Sequence, residues 1–127
     1  MGSARMEIRN YSGIPVVYLE GRMDLGALRE FQGLLTRLVL AGHCNALVNM
    51  KQAEWMPEDA AHELSRLADL FRAHYGKLGI IADRDQIDAM PAGIYCGSFS
   101  TSEDQAVRRI KGLAAPIELQ WNRAELV

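Results

Sequence analysis

The chain has 127 residues, enough for one compact domain that buries about two-thirds of its unfolded surface. Hydrophobic residues make up 49% and charged residues 24% of the sequence, a composition that excludes a disordered chain. The net charge is −2 and the basic residues are not clustered, which argues against nucleic acid as the main partner. No apolar run approaches the length of a membrane span, so we expect no direct insertion into a membrane.

The two cysteines, Cys44 and Cys96, stand in unrelated sequence contexts. No CxxC motif or Cys/His cluster with metal-ligand spacing is present, which favours two reduced thiols in a cytoplasmic protein. Glycine motifs that cradle phosphates, GxxxxGK[ST] and GxGxxG, are also missing. We therefore predict no metal site, no cofactor and no catalytic residue.

The patterned sequence begins with a predicted β-hairpin. Residues 1–5 are interpreted as a leader or as residues added by cloning. Residues 6–11 alternate, with Met6 and Ile8 on one face of a half-buried strand. A Ser-Gly turn signal follows, and residues 14–20 form the second strand.

Strands and helices alternate along the rest of the chain, which predicts a largely parallel sheet. The expected order is β-β-α-β-α-β-α-β-α. The later strands are predicted at 45–50, 77–82 and 95–99. The helices are predicted to begin at Asp24, Pro57, Asp83 and Ser102 and to end at Gly42, Gly76, Met90 and Lys111, with Pro91 stopping the third. Residues 113–127 are expected to form a tail or an additional strand.

The second helix begins with signals that suit its amino terminus. Pro57 fits the first turn, and Glu58 and Asp59 suit the positive end of the helix dipole. Trp55 and Met56 come directly before it, and we expect one of the two side chains to point inward and the other to be exposed. The pair is either part of the core or an anchor for a partner.

Three motifs in this order resemble the STAS domain, the module shared by sulfate transporters and anti-sigma factor antagonists. Residues 21–24 (GRMD) resemble the family's Gly-Arg-Leu-Asp entry to its first helix. Residues 48–61 resemble the family's third strand and second helix. Phe99 with residues 102–106 (SEDQA) resembles the last strand and the Ser-x-Glu-x-Ala helix. The resemblance covers residues 6–112.

The resemblance implies a single STAS-like α/β domain over residues 6–112. Its sheet would be mixed and mostly parallel, with about five strands and about four helices. It also implies a cytoplasmic, non-enzymatic protein-binding module in bacterial transcription control. In such partner switching, an unphosphorylated antagonist binds an anti-sigma factor with serine kinase activity and frees the sigma factor. Phosphorylation at the start of the second helix ends that interaction, because the phosphate adds about −1.5 to −2 charge.

This sequence departs from the family pattern at the switch itself. Asn49 stands where the family usually has Asp, and Pro57 stands where an Asp precedes the Ser pair. Glu58 and Asp59 occupy the two Ser positions, and Ala60 replaces a Gly. The chain therefore cannot be phosphorylated at the usual site.

Three interpretations of this degenerate phosphosite remain open. Glu58 and Asp59 mimic the phosphorylated state, or the domain binds another partner by shape, or the two acids stabilise the helix. The next hydroxyl, Ser65, lies two turns deeper in the helix. Gly21, Asp24 and Asn49 are assigned structural roles in the motif. The residues predicted to bind the partner are Trp55, Met56, Pro57, Glu58, Asp59 and His62.

The expected partner is an anti-sigma factor, a serine-kinase-like protein or another regulatory protein, and a homodimer is a further hypothesis. The first alternative is a cytosolic STAS-type subunit of an ABC transport system for lipids. The second is a small-ligand-binding or enzymatic domain with a pocket near Cys96 and the acidic helix start.

Overall fold

Five strands form one sheet in chain order in the computed structural model, which describes residues 4–91 and 98–112. Strand β1 is antiparallel to β2, and β2 to β5 are parallel. The elements are β1 (Arg5–Tyr11), β2 (Ile14–Arg22), α1 (Leu25–Leu40), β3 (Asn45–Glu54), α2 (Pro57–Ala73), β4 (Lys77–Ile81), α3 (Arg84–Ala89), β5 (Ser98–Ser100) and α4 (Glu103–Ile110). The predicted fold class, a mostly parallel five-stranded sheet with four helices, is confirmed.

The hairpin between β1 and β2 turns on two residues with positive φ angles, Ser12 (56°) and Gly13 (87°). This backbone suits a type I′ turn, whose twist matches that of the flanking strands. The side-chain oxygen of Asn10 accepts a hydrogen bond from the Gly13 N–H at 2.8 Å. The predicted hairpin is thus present, and Tyr11 and Ile14 face each other across its base.

The connection from β2 to α1 explains the structural roles predicted for Gly21 and Asp24. Gly21 has a φ angle of 94°, which a residue with a Cβ adopts only at a cost. Met23 then donates its N–H to the Glu54 carbonyl at 2.8 Å. Asp24 caps α1, because its Oδ1 accepts a hydrogen bond from the Ala27 N–H at 2.8 Å.

Strand β3 is longer than predicted. It was expected to end at Met50, but it runs on to Glu54, so the loop before α2 consists of Trp55 and Met56 alone. The extension pairs with the end of β2, and the pairing is irregular between Tyr18 and Glu20. The residues of this stretch are mostly polar and carry no local strand signal. They belong to the strand because they pair with the neighbouring strand β2.

The two faces of the sheet carry separate cores. Helices α1 and α2 cover the front face, where Phe31, Leu64 and Phe71 are fully buried. Helix α4 covers part of the back face, where Val107 and Ile110 pack against Leu47 and Ile81. Alternate residues of the central strands therefore supply both cores.

Strand β1 is more exposed than the predicted half-buried strand. Met6 packs against the front core, but Ile8 keeps 44% of its surface exposed and both Glu7 and Arg9 are exposed. The prediction was wrong for Ile8 because β1 lies at the edge of the sheet.

Several predictions fall partly outside the described residues. These include the first residues of the strand expected at 95–99, Cys96 and the segment 113–127. In the described ranges, no helix is long and apolar enough to cross a membrane, and no three Cys, His, Asp or Glu side chains gather as metal ligands.

Candidate docking surface

The residues predicted to bind a partner lie where β3 meets α2, at the carboxyl edge of the parallel strands. In open α/β sheets this edge is where binding sites usually form, because the loops after neighbouring strands meet there. Of the six residues, Met56, Glu58, Asp59 and His62 are exposed, while Trp55 and Pro57 are partly buried. We call these six residues, Trp55, Met56, Pro57, Glu58, Asp59 and His62, the docking surface.

Trp55 and Met56 divide as predicted between inside and outside. The Trp55 ring packs edge-on against Phe31 of α1, with ring centroids 6.1 Å apart and an interplanar angle of 73°. Its Nε1 is buried and has no hydrogen-bond partner among the residues that the structure describes. Met56 is 65% exposed. Trp55 therefore anchors the loop to α1, and Met56 projects from it.

The amino terminus of α2 lacks a side-chain cap. Met56 occupies the N-cap position with extended backbone (φ −66°, ψ 135°) and makes no capping hydrogen bond. Pro57 follows at the first helical position, where its missing N–H is not needed. Glu58 and Asp59 lie in the first turn, where the helix dipole favours negative charge.

His62 lies one turn beyond Glu58 on the same helix. Both side chains are exposed, and the described part of the chain contains no ion pair between them. The docking surface thus combines one projecting apolar side chain, two carboxylates and one imidazole, all open to solvent.

A groove of about 280 Å³ lies beside the docking surface, between the start of α2 and α3. Its apolar lining includes Met50, Trp55, Ala60 and Met90, and Gln86 donates a hydrogen bond from Nε2 to the Met50 carbonyl at 3.0 Å. The sequence interpretation missed the contribution of α3. The adjacency of β3 and β4 was the available signal, since the segments after adjacent parallel strands meet at one edge.

Asn49 lies on the opposite face of the sheet from α2. Its Nδ2 donates a hydrogen bond to Glu103 Oε2 of α4 at 3.4 Å, and its Oδ1 accepts one from the Lys51 N–H at 3.1 Å. Tyr18 donates its hydroxyl proton to the same Glu103 oxygen. Burial, reinforced by the hydrogen bond to Glu103, raises the pKa of Tyr18 to about 12. This cluster ties α4 to β2 and β3.

A second cavity, of about 350 Å³, opens on the back face beside Tyr18 and Asn49. Its cationic groups are already paired with acids: Arg5 with Glu20 at 3.3 Å, Arg9 with Glu7 at 2.6 Å and Lys51 with Asp83 at 3.8 Å. Because these charges balance, the cavity has no evident preference for a charged ligand.

No protein-family model and no curated protein matches this chain. Its fold is similar to those of two solved anti-sigma factor antagonists. The one from Mycobacterium paratuberculosis superposes with a TM-score of 0.65 at 14% identity, over 87% of this chain and 96% of that chain. The antagonist SpoIIAA in its unphosphorylated form superposes with a TM-score of 0.66 at 14% identity, over 87% of this chain and 100% of that chain. The predicted STAS-like fold is thereby confirmed.

Proposed function

We propose that this protein is a non-enzymatic regulatory module, similar to an anti-sigma factor antagonist, that binds a partner protein through the docking surface. The partner is an anti-sigma factor or a related regulator of transcription in the cytoplasm. Binding does not depend on phosphorylation of Ser or Thr at the start of α2, because that position holds Glu58 and Asp59.

The observation that carries this proposal is the position of Met56. Ser, Thr, Asp and Asn are preferred at a helix N-cap, because their side chains accept a hydrogen bond from the first turn. Met56 provides no such bond and leaves 65% of its surface in water. Methionine is enriched in protein interfaces and adapts to the shape of a partner. An uncapped helix with a projecting methionine is better suited to binding than to stability.

The charge next to Met56 favours a partner with basic residues. Glu58 and Asp59 are exposed and together carry about two negative charges, comparable to one phosphate group. No kinase is needed to supply this charge, so the partner meets the same electrostatic surface at all times. The module would then be regulated by its abundance or by its partner.

The test of the docking surface is partner capture with wild type, Met56→Ser and Leu40→Ser. Leu40 is a matched control, since it is 74% exposed and ends α1 ahead of the amino end of β3. We expect wild type and Leu40→Ser to retain an anti-sigma factor, identified by mass spectrometry. The purified pair should bind Met56→Ser about tenfold more weakly.

Two results would count against the proposal. Equal binding by Met56→Ser would exclude the docking surface. Capture of an ABC-type ATPase in place of an anti-sigma factor would favour the transport alternative.

The role of the acidic pair is tested by the neutral double variant Glu58→Gln/Asp59→Asn. We expect weaker partner binding at low salt and a smaller difference from wild type at high salt, because exposed charges are screened.

A parallel assay tests phosphorylation with the captured anti-sigma factor as the kinase. Wild type should accept no phosphate on residues 55–62. Phosphopeptides carrying Ser98, Ser100, Thr101 or Ser102 would instead show that the switch has moved along the chain.

A further inference from the structure

We propose that β1 is a self-association edge through which two copies of this chain join their sheets. The two β1 strands would pair antiparallel around a two-fold axis at Ile8. Strand β1 has β2 on one side, and no strand in the described residues pairs with its other side. This inference is independent of the proposed partner and concerns a different surface.

The hairpin determines which backbone groups of β1 point outward. In a two-residue hairpin the residues beside the turn form a hydrogen-bonded pair, here Tyr11 and Ile14. Hydrogen-bonded and non-bonded pairs then alternate along an antiparallel ladder. The N–H and C=O groups of Met6, Ile8 and Asn10 are consequently directed away from β2. The partner of Asn10 across the ladder is Pro15, which has no N–H to donate, in agreement with this assignment.

The strand is suited to pairing along its whole length. It has seven residues, no proline and an unbroken register with β2. Natural edge strands usually carry a bulge, a proline or charges that prevent such pairing. The charges of β1 alternate in sign, Arg5, Glu7 and Arg9, so they complement a second antiparallel copy and do not repel it.

Charge also disfavours a register with the axis at Glu7. With the axis at Ile8, Glu7 lies opposite Arg9 of the second copy, and Arg5 lies opposite its Tyr11. A shift of the axis to Glu7 would place Glu7 opposite its own copy and Arg5 opposite Arg9. Opposite charges stabilise a cross-strand pair and like charges destabilise it, so the axis at Ile8 is favoured.

The axis at Ile8 also fits the outward backbone groups and the exposed apolar surface. Ile8 would pair with Ile8 of the second copy, and Met6 with Asn10 on both sides, for about six backbone hydrogen bonds. Ile8 is 44% exposed in the single chain, and pairing would bring two β-branched side chains together across the axis.

The test measures self-association of the full chain by sedimentation velocity at increasing concentration. We expect a monomer–dimer equilibrium for wild type. The single reversals Glu7→Arg and Arg9→Glu should each weaken it about tenfold, because each places like charges opposite one another. An equimolar mixture of the two variants should recover the wild-type affinity, since opposite charges then face each other in the mixed dimer. The control Asp88→Arg changes charge equally on exposed α3 and should leave association unchanged.

Amide hydrogen exchange locates the interface. With rising concentration, the amides of Met6, Ile8 and Asn10 should gain protection while those of Ser12 and Gly13 do not. The proposal is overturned if wild type stays monomeric up to about 1 mM. The proposal is equally overturned if neither reversal weakens association, or if the mixture of the two variants does not recover the wild-type affinity. Recovery in the mixture would show that the single variants are folded.

Discussion

At the scale of single residues, the contact between Asn49 and Glu103 explains why an amide suits this position. The resemblance places an aspartate at this position, but here the side chain lies 3.4 Å from the Glu103 carboxylate. An amide donates a hydrogen bond to that carboxylate, whereas a second carboxylate would repel it. Asn49 is therefore matched to Glu103, a relation across 54 positions that no local pattern reveals.

We expect Asn49→Asp to lower the free energy of unfolding by about 1 kcal/mol at neutral pH, as typical for the loss of one hydrogen bond. Urea denaturation measures the change. The double variant Asn49→Asp/Glu103→Gln should recover part of the loss, because one of the two facing charges is removed. An unchanged midpoint for the single variant would show that the Asn49–Glu103 contact adds nothing to stability.

Tyr18 predicts a loss of stability in alkaline solution. Its pKa is raised from 10.0 to about 12 by burial and by the hydrogen bond to Glu103. The neutral phenol is thus favoured by folding, and its contribution is complete below about pH 10. As the pH rises from about 10 towards about 12, that contribution is lost, because the unfolded chain releases the proton more readily.

Tyr18→Phe should lower the free energy of unfolding at neutral pH by about 1 kcal/mol and remove this part of the alkaline dependence. The control is Tyr75→Phe, because Tyr75 is 97% exposed. Denaturation midpoints at pH 8 to 11 compare the variants with wild type. The same alkaline slope in Tyr18→Phe as in wild type would assign it to other groups.

At the scale of elements, the two front helices begin differently. Asp24 caps α1 through its carboxylate, whereas α2 begins at Met56 with no capping side chain. Both N-cap residues have the extended backbone that a capping residue needs. The difference is therefore in the side chain alone.

Exchanging these features should have opposite effects on stability. Asp24→Ala should lower the free energy of unfolding by about 1 kcal/mol, and Asp24→Ser should retain most of the stability, because serine also caps.

Met56→Ser should raise the free energy of unfolding by about 0.5–1 kcal/mol, because serine supplies the missing cap of α2. Thermal and urea unfolding measure both changes. If Met56→Ser is less stable than wild type, Met56 contributes to packing and the case for a binding role is weakened.

Local signals in the sequence predicted most elements, and also that one side chain of the Trp55–Met56 pair would point inward and the other would be exposed. Turn residues, helix caps and apolar periodicity act over a few positions, and these were sufficient for the hairpin, α1 and α2. The end of β3 at Glu54 depends on pairing with β2, and the exposure of Ile8 depends on the position of β1 at the edge. Tyr18 and Glu103 are 85 positions apart, so their contact follows only from the assembled fold.

At the scale of the whole molecule, the sheet separates a large front core from a smaller back core among the residues at 4–91 and 98–112. The front core is built by α1, α2 and three central strands, while α4 is eight residues long and buries Ala106, Val107 and Ile110. Regions with fewer buried apolar contacts open locally at a lower free energy. Helix α4 is therefore expected to open before the front core.

We expect amides of α4 to exchange at least about tenfold faster than those in the centre of α2 in hydrogen-exchange experiments. Tyr18→Phe should widen this difference by releasing Glu103, with little effect on α2. Leu70→Ala is the comparison variant for the front core, since Leu70 packs against that core. Equal protection of α2 and α4 would show that the two cores open as one unit.

The direction of β1 has a practical consequence for partner-capture experiments. Because β1 is antiparallel to β2, Arg5 lies opposite Glu20, at the carboxyl edge that also carries the docking surface. A tag joined ahead of Arg5 is therefore attached at the same edge of the sheet as the docking surface. The hairpin turn at Ser12 and Gly13 is exposed at the opposite edge. A bait immobilised through an insertion in this turn would keep the docking surface accessible, since exposed loop tips tolerate insertions.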